Sequence, residues 1–242
     1  MKPGSFIIGG ISSEELNAVI TNWFDTTIPA RRLTLNTDAV GVDQAVIYDG
    51  GVYENRTFTA NISFRGVLEE ADKQISKLIQ AIDGKGYVDA CFYFDQDYVY
   101  KVVRTDIADV TRLSRYSDHR EVSISFSAKP FKYLAGEYIA QITESASLMN
   151  PTGYISKPLI KLIANGDTTL TINDEKIEFT GLSGEIYLDS EIQDAWSFDE
   201  NGKMVNENSK MSHVEFPKLE AGLNKVNLTN GTIEMNLRWR SL

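Results

Sequence analysis

Thr57-Phe58-Thr59-Ala60-Asn61-Ile62-Ser63-Phe64 decides the fold class. Phe58, Ala60, Ile62 and Phe64 fall on one side of an extended chain and Thr57, Thr59, Asn61 and Ser63 on the other, because successive strand side chains point to opposite faces. Such alternation predicts an antiparallel strand with one face on a core and the other in water. Leu33-Thr34-Leu35, Tyr98-Val99-Tyr100-Lys101-Val102-Val103 and Val122-Ser123-Ile124-Ser125-Phe126 read the same way, with Gly, Asn and Asp as punctuation between strands. One segment departs from the period of two. Leu68, Ala71, Ile75, Leu78, Ile79 and Ile82 recur at helical spacing, with Glu69-Glu70 at the start and Asp83-Gly84-Lys85-Gly86 at the end. This predicts one amphipathic helix packed on the sheets, its acidic first turn matching the positive end of the helix dipole and Gly84 supplying the stop.

After the basic and aromatic stretch Lys129-Pro130-Phe131-Lys132-Tyr133, the segment from Ala135-Gly136-Glu137 to Asn150-Pro151-Thr152-Gly153 is polar and reads as a linker into a second domain. A second meander follows in Leu159-Ile160-Lys161-Leu162-Ile163, Thr169-Leu170-Thr171-Ile172, Lys176-Ile177-Glu178-Phe179 and Glu185-Ile186-Tyr187-Leu188. Its turns are expected at Asn165-Gly166-Asp167, Asn173-Asp174-Glu175 and Gly181-Leu182-Ser183-Gly184, and strands so regularly spaced indicate a sandwich. Ile233-Glu234-Met235-Asn236-Leu237-Arg238-Trp239 closes the chain as an alternating strand. Two domains are therefore expected, residues 1–133 and 134–242. No long internal repeat is present, which disfavours a propeller or solenoid.

Composition narrows the function classes. With 242 residues, 42% hydrophobic and 24% charged, the chain is an ordinary globular sequence able to bury a sizeable core. No run of about 18 apolar residues is available to span a bilayer. The apolar run after Met1-Lys2-Pro3-Gly4 is too short for a secretory signal, so neither a membrane protein nor a signal-led secreted one is expected. Cys91 stands alone beside two histidines, which argues against an internal disulfide, redox chemistry or structural zinc. The net charge is −10; residues 1–133 contribute 15 basic against 18 acidic side chains, −3, and residues 134–242 contribute 9 against 16, −7. A nucleic-acid groove would have to form against that field.

Catalytic constellations are sparse. A serine-type triad needs a histidine base, and His119 and His213 both lie in polar, turn-like contexts with no Gly-x-Ser-x-Gly elbow anywhere. Asp189 with Glu191, or Asp95 with Asp97, sit at strand-alternate spacing that could put two carboxylates on one face for glycoside hydrolysis, but 34 acidic residues generate such pairs by chance. Asp95-Gln96-Asp97 lacks the loop glycine and terminal glutamate of a calcium-binding EF-hand and reads as a hairpin turn. Asn-x-Ser/Thr triplets at Asn55, Asn61, Asn227 and Asn230 carry no weight without a secretory signal. Trp239 alternates in register with Ile233, Met235 and Leu237 and is expected in the core. Trp196, in the loop-like Gln193-Asp194-Ala195-Trp196-Ser197-Phe198, is the candidate exposed aromatic, able to stack on a sugar ring. No catalytic, cofactor-binding or metal-ligating residues are assigned, and no enzyme activity or cofactor is expected.

The order of local motifs says more than any one of them. Tyr100-Lys101 is followed by Phe126-Ser127-Ala128-Lys129-Pro130-Phe131-Lys132-Tyr133, then Tyr154-Ile155-Ser156-Lys157-Pro158-Leu159-Ile160, Asn165-Gly166-Asp167 and Leu170-Thr171-Ile172-Asn173. Glu185-Ile186-Tyr187-Leu188-Asp189-Ser190-Glu191 and Phe216-Pro217-Lys218-Leu219-Glu220-Ala221-Gly222-Leu223-Asn224-Lys225-Val226 complete the series. In this order the chain resembles the distal tail protein family of long-tailed, non-contractile bacteriophages and related prophages, the hub between tail tube and tip. The resemblance implies a mainly β protein: an N-terminal β-sandwich with one packed helix and an extended hairpin, forming a hexameric ring, then a C-terminal galectin-like β-sandwich that projects outward. Only 109 residues follow Tyr133 (242 minus 133), too few for the large carbohydrate-binding insertion of some family members.

The resemblance further implies a structural role at the virion tail tip, for a protein made in the host bacterial cytoplasm. Its partners would be five other copies, the major tail tube protein and the tail-associated lysin or tip protein. The tape measure protein and receptor-binding or baseplate proteins are further partners of that kind; tight nucleic-acid binding and membrane association are not expected. For a hub, the segment Val110 to Glu121 is the candidate assembly arm, with Arg112, Arg115, Tyr116, His119 and Arg120 as contact residues. The alternative reading is a lectin-like module that binds carbohydrate through the C-terminal sandwich and Trp196. A glycosidase using the carboxylates near Asp189 is a second rival.

Overall fold

The core of the N-terminal unit forms where alternating strands and one helix turn their apolar sides toward each other. In this computed structural model the described residues are 1–23, 27–38, 40–66, 68–106, 109–112, 119–212 and 215–242. They divide into two compact units, Met1–Ala135 (joined by Leu242) and Gly136–Ser241.

The first unit runs β1 (Phe6–Ile8), β2 (Ile11–Ser12), β3 (Ala18–Ile20), β4 (Arg31–Asn36), β5 (Val46–Tyr53), β6 (Arg56–Arg65), α1 (Leu68–Ile82), β7 (Val88–Phe92), β8 (Tyr98–Arg104), β9 (Asp109–Arg112), β10 (His119–Ala128) and β11 (Lys132–Leu134). Its main sheet has the order β2-β1-β7-β8-β10-β6-β3, with β9 also on β10 and β11 on β8. The sheet curls until Ile20 N–H donates to the Gly4 carbonyl at 2.8 Å, bringing β3 back beside the start of β1. Strand β6 alternates as its sequence predicts: Phe58, Ala60, Ile62 and Phe64 are buried against Ile124, Phe126, Phe92 and the helix residues Ala71, Ile75, Leu78 and Ile82. Helix α1 keeps its acidic first turn at Glu69 and Glu70, and Gly84 after it adopts φ +69°. Strands β4 and β5 stand apart as a separate two-stranded sheet.

The second unit contains β12 (Ile139–Ile142), β13 (Ser145–Asn150), β14 (Leu159–Ile172), β15 (Glu175–Asp189), β16 (Asp194–Phe198), β17 (Met204–Asn206), β18 (Gly222–Leu228) and β19 (Thr232–Asn236). The order β12-β19-β14-β15-β16-β17, with β18 bridging β14 to β13, again gives a curled, sandwich-like arrangement. The protein is mainly β with one α-helix among the described residues.

Three readings need correction. The polar segment after Ala135 holds two ordered strands, β12 and β13, paired with β19 and β18, and is not a linker. Asn165-Gly166-Asp167 and Gly181-Leu182-Ser183-Gly184 are not turns. They lie inside β14 and β15, which pair over their whole length with one register shift between Gly166 and Thr168. The irregularity is absorbed by glycines at positive φ, Gly166 and Gly181, and by Asp167 Oδ1 accepting the Gly181 N–H at 2.9 Å. Trp196 lies in strand β16, not in a loop.

Candidate assembly surface

A strand normally buries at least one of its two faces, and β4 and β5 bury neither. Leu33 pairs with Asp49, Thr34 with Tyr48, Leu35 with Ile47 and Asn36 with Val46. Leu33, Leu35 and Ile47 therefore share one face and Tyr48 the other, yet Leu35, Ile47 and Tyr48 are 59, 60 and 58% exposed. No residue of this hairpin enters the core cluster of the unit. Ion pairs tie its base: Arg31 Nε to Asp49 at 2.7 Å and Arg32 Nε to Glu54 at 2.8 Å. Beyond Asn36 the chain turns through Asp38, Val40, Gly41, Val42 and Asp43, with Gly41 at φ +81° and Val40 wholly exposed. A two-stranded hairpin is marginal by itself in water, and an exposed apolar hairpin marks an interaction surface. The sequence signal was the alternation of Leu33-Thr34-Leu35 itself. What it did not carry was the lack of any covering layer.

The segment expected to form the arm is described only at its two legs, strands β9 and β10. Strand β9 pairs along β10, with Arg112 opposite Arg120 and Val110 opposite Val122. Arg115, Tyr116 and the Arg112 side chain lie outside the described residues. His119, opposite Arg65 at the start of β10, is half-buried. Arg120 is 1% exposed, with its Nε 3.6 Å from Asp72 on α1 and its Nη1 donating to the His119 carbonyl at 3.2 Å. It ties the sheet to the helix.

Of the carboxylates considered for catalysis, Asp95, Asp189 and Glu191 face internal partners. Asp189 accepts two hydrogen bonds from Arg238, at 2.7 and 3.0 Å, and Glu191 stands 4.0 Å from the same guanidinium. Burial pushes the Asp189 carboxyl up, but the Arg238 hydrogen bonds and charge outweigh it and hold the group below the usual carboxylate range. Asp95 accepts from the Tyr100 hydroxyl at 2.5 Å and the Lys132 ammonium at 2.7 Å. Burial first, then that Asp95 contact, push the Tyr100 hydroxyl far up. Among the described residues no group of three or more His, Cys, Asp or Glu side chains could hold a metal ion. His213 lies outside those residues.

Trp196 is half-buried and stacks on Tyr187 with centroids 5.8 Å apart and planes 10° from parallel. Phe198 meets Tyr187 edge-on at 5.7 Å, and the Lys161 ammonium lies 5.7 Å from the Tyr187 ring. These residues form an aromatic ladder across β15 and β16. Trp239 is buried, as its periodicity predicts.

No family model and no curated protein matches the sequence. Similarity lies in the fold. A crystal structure of the SPP1 Dit (gp 19.1) protein, described as a paradigm of the hub adsorption apparatus in phages that infect Gram-positive bacteria, matches with a TM-score of 0.65 at 13% sequence identity. The match covers 96% of this chain and 96% of that one. The fold is that of a Dit protein. The likeness in fold runs nearly the whole length of both chains.

Proposed function

We propose that the chain is the structural hub of a phage tail tip. Six copies close into a ring that joins the tail tube to the tip or baseplate proteins and lets DNA pass. The observation that carries this reading is the end-to-end likeness in fold to a phage hub protein, 96% of both chains. The β4–β5 hairpin adds support, because a ring subunit needs an extended surface to engage its neighbour. In this reading the N-terminal unit forms the ring, and the C-terminal unit is a galectin-like sandwich that faces outward to tip and receptor-binding proteins. The hairpin 31–53 joins 110–121 as a candidate reaching arm.

No bond is broken; the work is geometric. Cyclic symmetry lets one pair of complementary surfaces, repeated, close the assembly. A lumen in a chain of net charge −10 repels DNA phosphates at short range and is screened beyond about 8–10 Å at physiological salt, so duplex passes without being held. The carbohydrate-binding alternative is less favoured, because Tyr187 already occupies one side of Trp196.

The test is mass measurement and negative-stain imaging of the protein alone and with its tube and tip proteins. A six-subunit ring, or two rings face to face, is expected. A particle that stays monomeric in every mixture contradicts the reading.

A further inference from the structure

An asparagine followed by glycine carries chemistry of its own. The glycine backbone nitrogen, on losing its proton, attacks the asparagine Cγ; the bond from Cγ to the side-chain nitrogen breaks, and ammonia leaves after taking up a proton, closing a five-membered succinimide. Water then opens the ring at either carbonyl. The product is aspartate or isoaspartate, whose main chain runs through the side chain and is one methylene longer. Glycine favours the attack because it has no Cβ to block the close approach. In a folded protein the step requires that the asparagine side chain and the next N–H move against each other.

The chain holds three such pairs. Asn165-Gly166 lies within β14, where Asn165 pairs with Ser183 and Gly166 with Leu182, and the Asn165 carbonyl accepts from Asn230 Nδ2 at 3.0 Å. Asn230-Gly231 is fixed by that same side-chain bond and by Thr168 Oγ1 donating to the Asn230 carbonyl at 2.7 Å. Gly231 also packs so closely on Ile163 that a Cβ there would come within 2.3 Å of its carbonyl oxygen. Asn201-Gly202 is placed otherwise. It sits exposed in the turn between β16 and β17, and a Cβ added at Gly202 would meet nothing within 4 Å. Asp199 Oδ1 accepts the Asn201 and Lys203 N–H groups at 2.9 and 2.8 Å, and the Asp199 carbonyl accepts the Gly202 N–H at 2.9 Å. The Asn201 side chain itself makes no hydrogen bond among the described residues. The Gly202 bond has to open for the attack; it lies next to β17, three residues long and exposed throughout, where local opening costs little.

We propose that Asn201 is a self-modification site, converted to aspartate and isoaspartate through a succinimide closed by Gly202, while the fold protects Asn165 and Asn230. The inference does not depend on the ring. Each event adds a carboxylate beside Asp199 and Glu200, in residues 134–242 already at −7. Isoaspartate goes further, because its added methylene shifts the N–H groups that Asp199 holds and loosens the hairpin that pairs Phe198 with Met204. This exposed end of the C-terminal sheet therefore changes as the protein ages.

Full-length protein stored at mildly alkaline pH, and the same protein unfolded in guanidinium chloride, are digested at intervals and their peptides resolved by chromatography and mass spectrometry. Unfolded, all three pairs should gain one mass unit at similar rates. Folded, the Asn201 peptide should do so about tenfold or more faster than the Asn165 and Asn230 peptides, each tenfold corresponding to about 1.4 kcal/mol in the barrier. It should also split into two forms, one of them co-eluting with the same peptide from the Asn201→Asp variant. Asn201→Gln should abolish the change, since ring closure onto the longer side chain is slower. Folded-state rates at Asn165 or Asn230 that match Asn201, or an Asn201 as protected as those two, overturn the proposal. So does a mass gain that persists in Asn201→Gln, which places the chemistry at Asn206 or Asn208. None of these outcomes bears on ring closure, so the two readings fail separately.

Discussion

Asp189 shows how a residue chosen for chemistry turns out to hold a fold together. It is 8% exposed at the end of β15, with both carboxylate oxygens bound by Arg238. A carboxyl whose folded pKa is depressed adds stability above its unfolded value, and that stability is lost as pH falls through the folded value. The Asp189→Asn variant should be destabilised by about 1–3 kcal/mol in urea titration at pH 7, and the difference from the parent should shrink below about pH 4. An unchanged midpoint would show that the pair is dispensable. Gly231 makes a backbone-level expectation: at φ +99° an added Cβ would come within 2.3 Å of the Ile163 carbonyl oxygen. Gly231→Ala should therefore cost about 2 kcal/mol or more, read as a lowered Tm. Neither contact was legible in the sequence. Arg56 makes the same point, since its burial depends on the carbonyls of Pro130 and Thr27, 74 and 29 positions away. Periodicity reports which face a residue takes, whereas these partners are brought together only by the completed sheet.

At the scale of elements, legibility followed cooperativity along the chain. Helix α1 was readable because its stripe, first turn and stop lie within one short window, and its packing residues Ala71, Ile75, Leu78 and Ile82 are buried. Leu78→Ala should cost about 2–5 kcal/mol, measured by chemical denaturation, because it opens a cavity between helix and sheet. In sequence the β14–β15 pair reads as four strands, since Asn-Gly-Asp and Gly-rich stretches are turn signals in isolation. Here they are a bulge and positive-φ positions in a continuous ladder. The basic stretch after Val110 draws attention in the sequence by its charge, whereas β4–β5 stands out only in the folded chain, as a hairpin with no covering layer. Removing residues 35–47 should change monomer stability by no more than about 0.5 kcal/mol, since surface changes away from the core are usually that small. A large loss of Tm would mean the hairpin supports its own subunit instead of a neighbour.

For the whole molecule, 13% identity leaves the neighbour's fold intact because alternation and turn chemistry, not residue identity, specify a curled antiparallel sheet. The sequence carried that pattern and the mainly β class. Exposure, which is what distinguishes an assembly surface from a core face, depends on the folded chain and was not readable beforehand. The charge of −10 sets one further expectation: duplex DNA should bind weakly at moderate salt in a filter or anisotropy assay. Tight binding that weakens steeply with salt would contradict the open-conduit reading. The most direct measurement remains the stoichiometry and image of the purified protein mixed with its tail tube protein. The hub account predicts a closed six-fold ring seated on the end of the tube; single subunits that neither close nor attach to the tube would contradict it.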